Sequence, residues 1–136
     1  MAEKTQRLDV ITPERVVLSD EVRFLVAPGT EGELGILPEH APLVTTLDIG
    51  IMRVHKENRT YRVVVTGGFM EVHRNRVVVL ASAAERAEEI DVERARAAKE
   101  RAERRLASRD PEVDLVRAEA ALKRALTRLK AAEQVH

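Results

Sequence analysis

The residue types able to do chemistry are few, and at one place they gather. The four histidines, His40, His55, His73 and His136, show no metal-ligand spacing. There is no cysteine, which excludes disulfides, zinc–thiolate sites and thiol catalysis. The chain carries no phosphate loop, no G-x-G-x-x-G and no nucleophile–base pairing. What stands out is the hexad Ile90-Asp91-Val92-Glu93-Arg94-Ala95. Asp91 is a good helix N-cap there, because its carboxylate can accept from the free amides of the next turn. A stand-alone nucleotide hydrolase would need metal-binding carboxylates, a phosphate loop and a positioned base. The chain offers none of these, so the expectation is a protein that is not an enzyme.

Composition narrows the partners. The 136 residues include 23 basic and 23 acidic side chains, so no general attraction to nucleic acid or an anionic membrane surface is expected. Aromatics, essentially Phe24, Tyr61 and Phe69, amount to 2%, too few for base-stacking platforms. No apolar run approaches the roughly 20 residues that span a bilayer, and the polar N-terminus from Met1 to Gln6 lacks a signal-peptide apolar region. A soluble cytoplasmic protein follows as the expectation.

The elements that must position the hexad change character at it. Before Ala84 the sequence runs in short β-branched stretches: Leu8 and Val10, Val16 to Leu18, Val22 to Val26, Ile49 to Val54, Tyr61 to Val65, Phe69 to Val72, and Val77 to Leu80. Thr12-Pro13-Glu14, Pro28-Gly29, Glu57-Asn58, Gly67-Gly68 and Arg74-Asn75 read as turns or breaks between them. Val22, Phe24 and Val26 alternate with Arg23, Leu25 and Ala27 as one period-two run. Many short strands with no helical period between them predict an antiparallel β-sandwich or flattened barrel. One loop, Thr30 to Leu43, holds the apolar residues Leu34, Ile36 and Leu37 between glycines and prolines. Either they pack beneath the loop or they meet a partner.

After the joint the period becomes 3.6. Ala95, Ala98, Ala102 and Leu106 form one stripe, and Leu115, Ala118, Leu122, Ala125, Leu129 and Ala132 a second. Asp110 and Pro111 read as N-cap and first residue of the second helix. The fold class is therefore α+β: a β-sandwich head over residues 1–86, then an antiparallel two-helix hairpin over residues 87–136. Alanine buries little area while alanine, arginine, glutamate and lysine favour helix. Each helix can thus survive opening of the seam, which suits a movable element; a static hairpin is the alternative. Towards the end Arg117, Lys123, Arg124, Arg128 and Lys130 outnumber Glu119 and Glu133. That reads either as a solvated face or as a basic helix that meets an acidic partner.

Gly32-Glu33-Leu34-Gly35-Ile36-Leu37-Pro38, with His40, Pro42 and Leu43, and Gly67-Gly68-Phe69-Met70-Glu71-Val72 resemble two signatures of the epsilon subunit of the bacterial F-type ATP synthase. The order of β head and helical hairpin agrees over essentially the whole chain. Glu39 stands where many relatives have glycine. The resemblance implies a rotor subunit of the central stalk, peripheral on the cytoplasmic side of the membrane. Its head would bind the gamma subunit and rest on the c-ring, with Glu33 and His40 in the ring-facing loop. Its hairpin would fold against the head or extend along gamma towards the alpha-beta catalytic crown, where it blocks ATP hydrolysis.

The hexad also resembles the I/L-D-x-x-R-A motif by which some bacterial epsilon subunits bind ATP, with or without Mg2+, between head and folded hairpin. No cofactor is required by this reading; ATP is a regulatory ligand. Arg94 and Arg101 share one face of the first helix, and Arg124 and Arg128 one face of the second. Together they would hold phosphate. Glu85 and Asp91 would accept from the adenine amino group, and Ile90 and Ala95 would line an apolar slot. The alternative is that Asp91 only caps the helix, the arginines are solvated, and the protein is a passive stalk element.

Overall fold

The computed structural model describes residues 4–134, so residues 1–3 of the polar N-terminus and His136 lie outside the described residues. The chain divides into two compact units, Met1–Arg86 and Ala87–His136.

The first unit is the expected β-sandwich, eight strands folded about one core. They are β1 (Gln6–Ile11), β2 (Val16–Val22), β3 (Phe24–Gly29), β4 (Gly32–Ile36), β5 (Leu43–Lys56), β6 (Arg59–His73), β7 (Arg76–Ala81) and β8 (Ala84–Arg86). The strand order is β2-β1-β7-β6-β5-β3-β4, with β8 beside β6. Pairing is antiparallel apart from β1 with β7, which run parallel. Alternate residues fill the core: Leu8 and Val10 from β1, Leu25 and Ala27 from β3, Met52 and Val54 from β5, Val63 and Val65 from β6, Val77 and Val79 from β7. Arg74 and Asn75 turn β6 into β7 with both residues at positive φ, the left-handed pair a tight two-residue hairpin requires.

Four readings of the sequence need correction. Gly67-Gly68 is not a turn. β6 runs through it, and the strand bends there as its partner changes from β7 to β8. Gly68 sits at φ 130°, and a Cβ on it would lie 2.1 Å from the Leu80 carbonyl oxygen; only glycine permits so close a backbone approach. The run from Val22 to Ala27 is two strands broken at Arg23. The break exchanges the faces, so Leu25 and Ala27 are buried rather than Phe24 and Val26. Part of the loop from Thr30 is strand β4, which buries Ile36 and half-buries Leu34 but leaves Leu37 exposed. The fourth lies in the second unit.

That unit opens with a 3-10 turn, Ala87–Glu89, and continues as helix α1 (Val92–Ala107) and helix α2 (Leu115–Glu133). The helices pack on one another, and the seven-residue connection between them makes the pair antiparallel. α2 does not start at Pro111. The Asp110 carboxylate accepts from the Glu112 amide at 2.9 Å and its carbonyl from Val113 at 3.1 Å, which closes a local turn instead of a helix. Asp114 is the cap, its Oδ1 accepting from the Arg117 amide at 3.1 Å.

Candidate functional site

Asp91 does cap α1. Its backbone is extended, its Oδ1 accepts from the Arg94 amide at 3.1 Å, and its carbonyl accepts from Ala95 at 3.0 Å. Ile90 is half-buried and donates its amide to Ala87 at 3.3 Å, which locks the turn that delivers Asp91. Glu85 belongs to the other unit. It lies on β8, opposite Val64, and is half-buried.

The helix seam fixes where the arginines point. Ala95 and Ala102 on α1, with Ala118, Ala125 and Ala132 on α2, are buried; Ala98, Leu106, Leu122 and Leu129 are half-buried, while Leu115 is exposed. In an antiparallel pair of right-handed helices, the position just before a seam residue projects to the same side of the pair on both helices. Arg94 precedes Ala95, Arg101 precedes Ala102, and Arg124 precedes Ala125. Arg128, three positions beyond Ala125, falls on that side too. One flank of the hairpin therefore carries all four. Glu93, Glu100, Glu103, Glu119 and Glu133 project elsewhere by the same periodicity, and Arg96 takes Glu93 at 2.8 Å away from this flank. Arg94, Arg101 and Arg124 make no ion pair among the described residues, whereas Arg128 holds a partner.

The set suits a polyanion with an apolar or aromatic appendage. Guanidinium forks present several donors to phosphate oxygens, and Asp91 keeps one carboxylate oxygen beyond the cap. Ala95 is sunk in the seam, so Ile90 offers more open apolar surface than Ala95 does. Arg105 and Arg117 continue the flank towards the hairpin tip; the sequence pointed to Arg117 only as part of the basic second helix and not to Arg105. Counting one position back from Ala118, or three on from Ala102, would have found them. Among the described residues no cluster of His, Asp and Glu could hold a metal ion.

The head has two further exposed features. Phe69 on β6 stands between Thr46 of β5 and Leu80 of β7, and one row on Glu71 stands between Val44 and Val78. Val44, Phe69 and Leu80 are each more than half exposed, so this side of the sheet carries apolar surface. At the β4 end, Leu37 is 63% exposed on a turn closed by the His40 amide to Leu37 at 3.2 Å. His40 Nδ1 lies 2.7 Å from the Ala41 carbonyl, and Glu33 pairs with Arg53 at 3.1 Å. Glu39 takes the left-handed backbone, φ 64°, that a glycine would favour, with its amide donating to Asn75 Oδ1 at 2.8 Å.

A family model described as the β-sandwich domain of the ATP synthase delta/epsilon chain matches residues 5–87. A second, the long α-helix domain of the same chain, matches residues 88–133. The sequence is similar to the ATP synthase epsilon chain of Pelotomaculum thermopropionicum, 70% identical over 134 residues, covering 98% of this chain and 100% of that one. It is similar to the epsilon chain of Desulforamulus reducens, 62% identical over 130 residues, covering 96% and 98%. Among solved structures it resembles a chain of the Euglena gracilis mitochondrial ATP synthase, seen with OSCP, F1 and c-ring in rotational state 1. The TM-score is 0.80 at 29% identity, covering 100% of this chain and 85% of that one. A chain of the Tetrahymena thermophila mitochondrial ATP synthase central stalk and c-ring shares the fold, TM-score 0.57 at 15% identity, covering 99% and 98%.

Proposed function

The chain belongs to the delta/epsilon family of ATP synthase chains, among its bacterial epsilon chains, and from that premise we propose that it is a non-catalytic rotor subunit whose helical hairpin senses ATP. The apolar side of the head around Val44, Phe69 and Leu80 docks on the gamma subunit, since exposed apolar surface of this kind marks an interaction site. The turn that presents Leu37, with Glu33 and His40, rests on the c-ring. No helix among the described residues is long and apolar enough to cross a membrane, in keeping with peripheral attachment through these partners.

The observation that carries the regulatory half is one flank bearing Arg94, Arg101 and Arg124, which make no ion pair among the described residues, together with Arg128, on a pair of helices held by an alanine seam. The guanidinium groups take the phosphates of ATP, and Asp91 and Ile90 select the base. Bound ATP supplies negative charge that draws the two helices together. It stabilises the closed hairpin by RT ln(1 + [L]/Kd), about 2.7 kcal/mol at a hundredfold excess over Kd. Without it the hairpin opens, and its basic second helix reaches the alpha-beta crown and blocks hydrolysis.

The assembled complex tests this directly. Removing residues 87–136 should raise ATP hydrolysis, and Arg94→Ala with Arg124→Ala should inhibit more strongly than wild type at equal ATP. Hydrolysis unchanged by both would leave a passive stalk subunit with a static hairpin.

A further inference from the structure

On the outer side of the head, Arg53 of β5 stands directly opposite Arg62 of β6. Like charges so placed destabilise an antiparallel pair. Both belong to the face turned from the core, since their neighbours Met52, Val54 and Val63 are buried on the other side. The Arg62 Nε is buried with no hydrogen-bond partner, and Arg62 makes no ion pair among the described residues. A buried guanidinium N–H without an acceptor is costly. Arg53 has a single carboxylate, Glu33 at 3.1 Å, in an exposed pair.

The same face holds His55, two residues beyond Arg53. Its ring stacks on Phe24 with centroids 4.0 Å apart, and its Nδ1 lies 3.0 Å from the Thr60 hydroxyl. Burial first, then the charges of Arg53, Arg62 and Arg23, disfavour its protonation. The imidazole thus stands in the positive field of these arginines, fixed in place by an aromatic ring and a hydroxyl. A carboxylate has two oxygens and is saturated by one arginine fork. Two opposed forks with an imidazole edge call for an anion with three or more oxygens.

We propose that Arg53, Arg62 and His55 form a binding site for a phosphate group on the head, separate from the hairpin arginines. The phosphate neutralises the opposed pair and supplies the acceptor that the Arg62 Nε lacks. Its source is either a free inorganic anion or the phosphate chain of a nucleotide.

The test is an NMR titration of the full chain with inorganic pyrophosphate, against sodium chloride at matched ionic strength, reading the His55 ring and the Arg62 Nε–H. Saturable shifts at both are expected, with binding about tenfold weaker or more in Arg62→Gln. Arg53→Gln serves should that variant fail to fold. Equal shifts with ATP would name a nucleotide as the source, and shifts with pyrophosphate alone a free anion; either supports the site. Signals from Arg94 and Arg101 report the hairpin separately, so this site and the ATP reading can fail independently. Shifts reproduced by chloride, saturation only by a polyglutamate peptide, or unchanged binding in both variants would overturn the proposal.

Discussion

Replacing Ala102 by glycine weakens the hairpin by an amount that can be worked out. Ala102 is 1% exposed, so its methyl group contributes about 0.8 kcal/mol. Glycine in a helix interior costs about 1 kcal/mol more. The expected loss is about 1.8 kcal/mol, or a roughly twentyfold larger unfolded fraction of the hairpin. The next residue, Glu103, is exposed, so Glu103→Gly carries only the helix term, ~0.8 kcal/mol and about fourfold. Ala95, Ala102, Ala118 and Ala125 at this rate hold the seam with ~3 kcal/mol, the same order as the ligand term. Amide hydrogen exchange in the full chain reads both variants. Ala102→Gly should accelerate exchange in α1 and α2 alike, and Glu103→Gly several times less. Head amides such as those of Val63 and Val79 should be unchanged. Equal acceleration by the two variants would refute a packed alanine seam.

Two further outcomes concern the head. Gly68→Ala forces a Cβ to within 2.1 Å of the Leu80 carbonyl at φ 130°, so it should cost more than ~3 kcal/mol in denaturant unfolding; wild-type stability would contradict the bend. The Asp9 carboxyl is held below its ordinary 3.8, chiefly by Ser19 and then by Arg76 and Arg7 against burial, and Asp20 likewise, chiefly by Lys56. His55 is held below 6.5 by burial and neighbouring arginines. In all three the unfolded chain binds protons more readily, so stability is full above the unfolded values and falls with pH. His55 contributes first, below pH 6.5, and the two aspartates below pH 3.8. Urea midpoints between pH 8 and pH 3 should show both steps, and Asp9→Asn should lose about 2 kcal/mol at neutral pH and flatten the lower one.

What the sequence disclosed followed local chemistry. The Arg74-Asn75 turn and the Asp91 cap need only their own side chains and backbone, and both stand where they were read. The Gly67-Gly68 bend was misread because glycine marks a close backbone approach as readily as a turn, and only the position of Leu80 distinguishes them. Asp110 and Asp114 compete as caps four residues apart, and the outcome depends on which carboxylate spends itself on a local turn. The arginine flank was half legible. Periodicity gave the pairs on each helix, but their common side required knowing which alanines are buried. Glu85 fell at a joint read as a boundary, where β8 extends the sheet by three residues. The Arg53–Arg62 opposition depends on strand register, which alternation alone does not set.

The most direct measurement is an ATP titration of the full chain followed by backbone amide shifts and hydrogen exchange. Saturable shifts are expected from Ile90 to Arg101 and from Arg124 to Arg128, with slower exchange through α1 and α2. No shift there at millimolar ATP would contradict the ATP reading. The hairpin's position would then have to be set by the subunits around it.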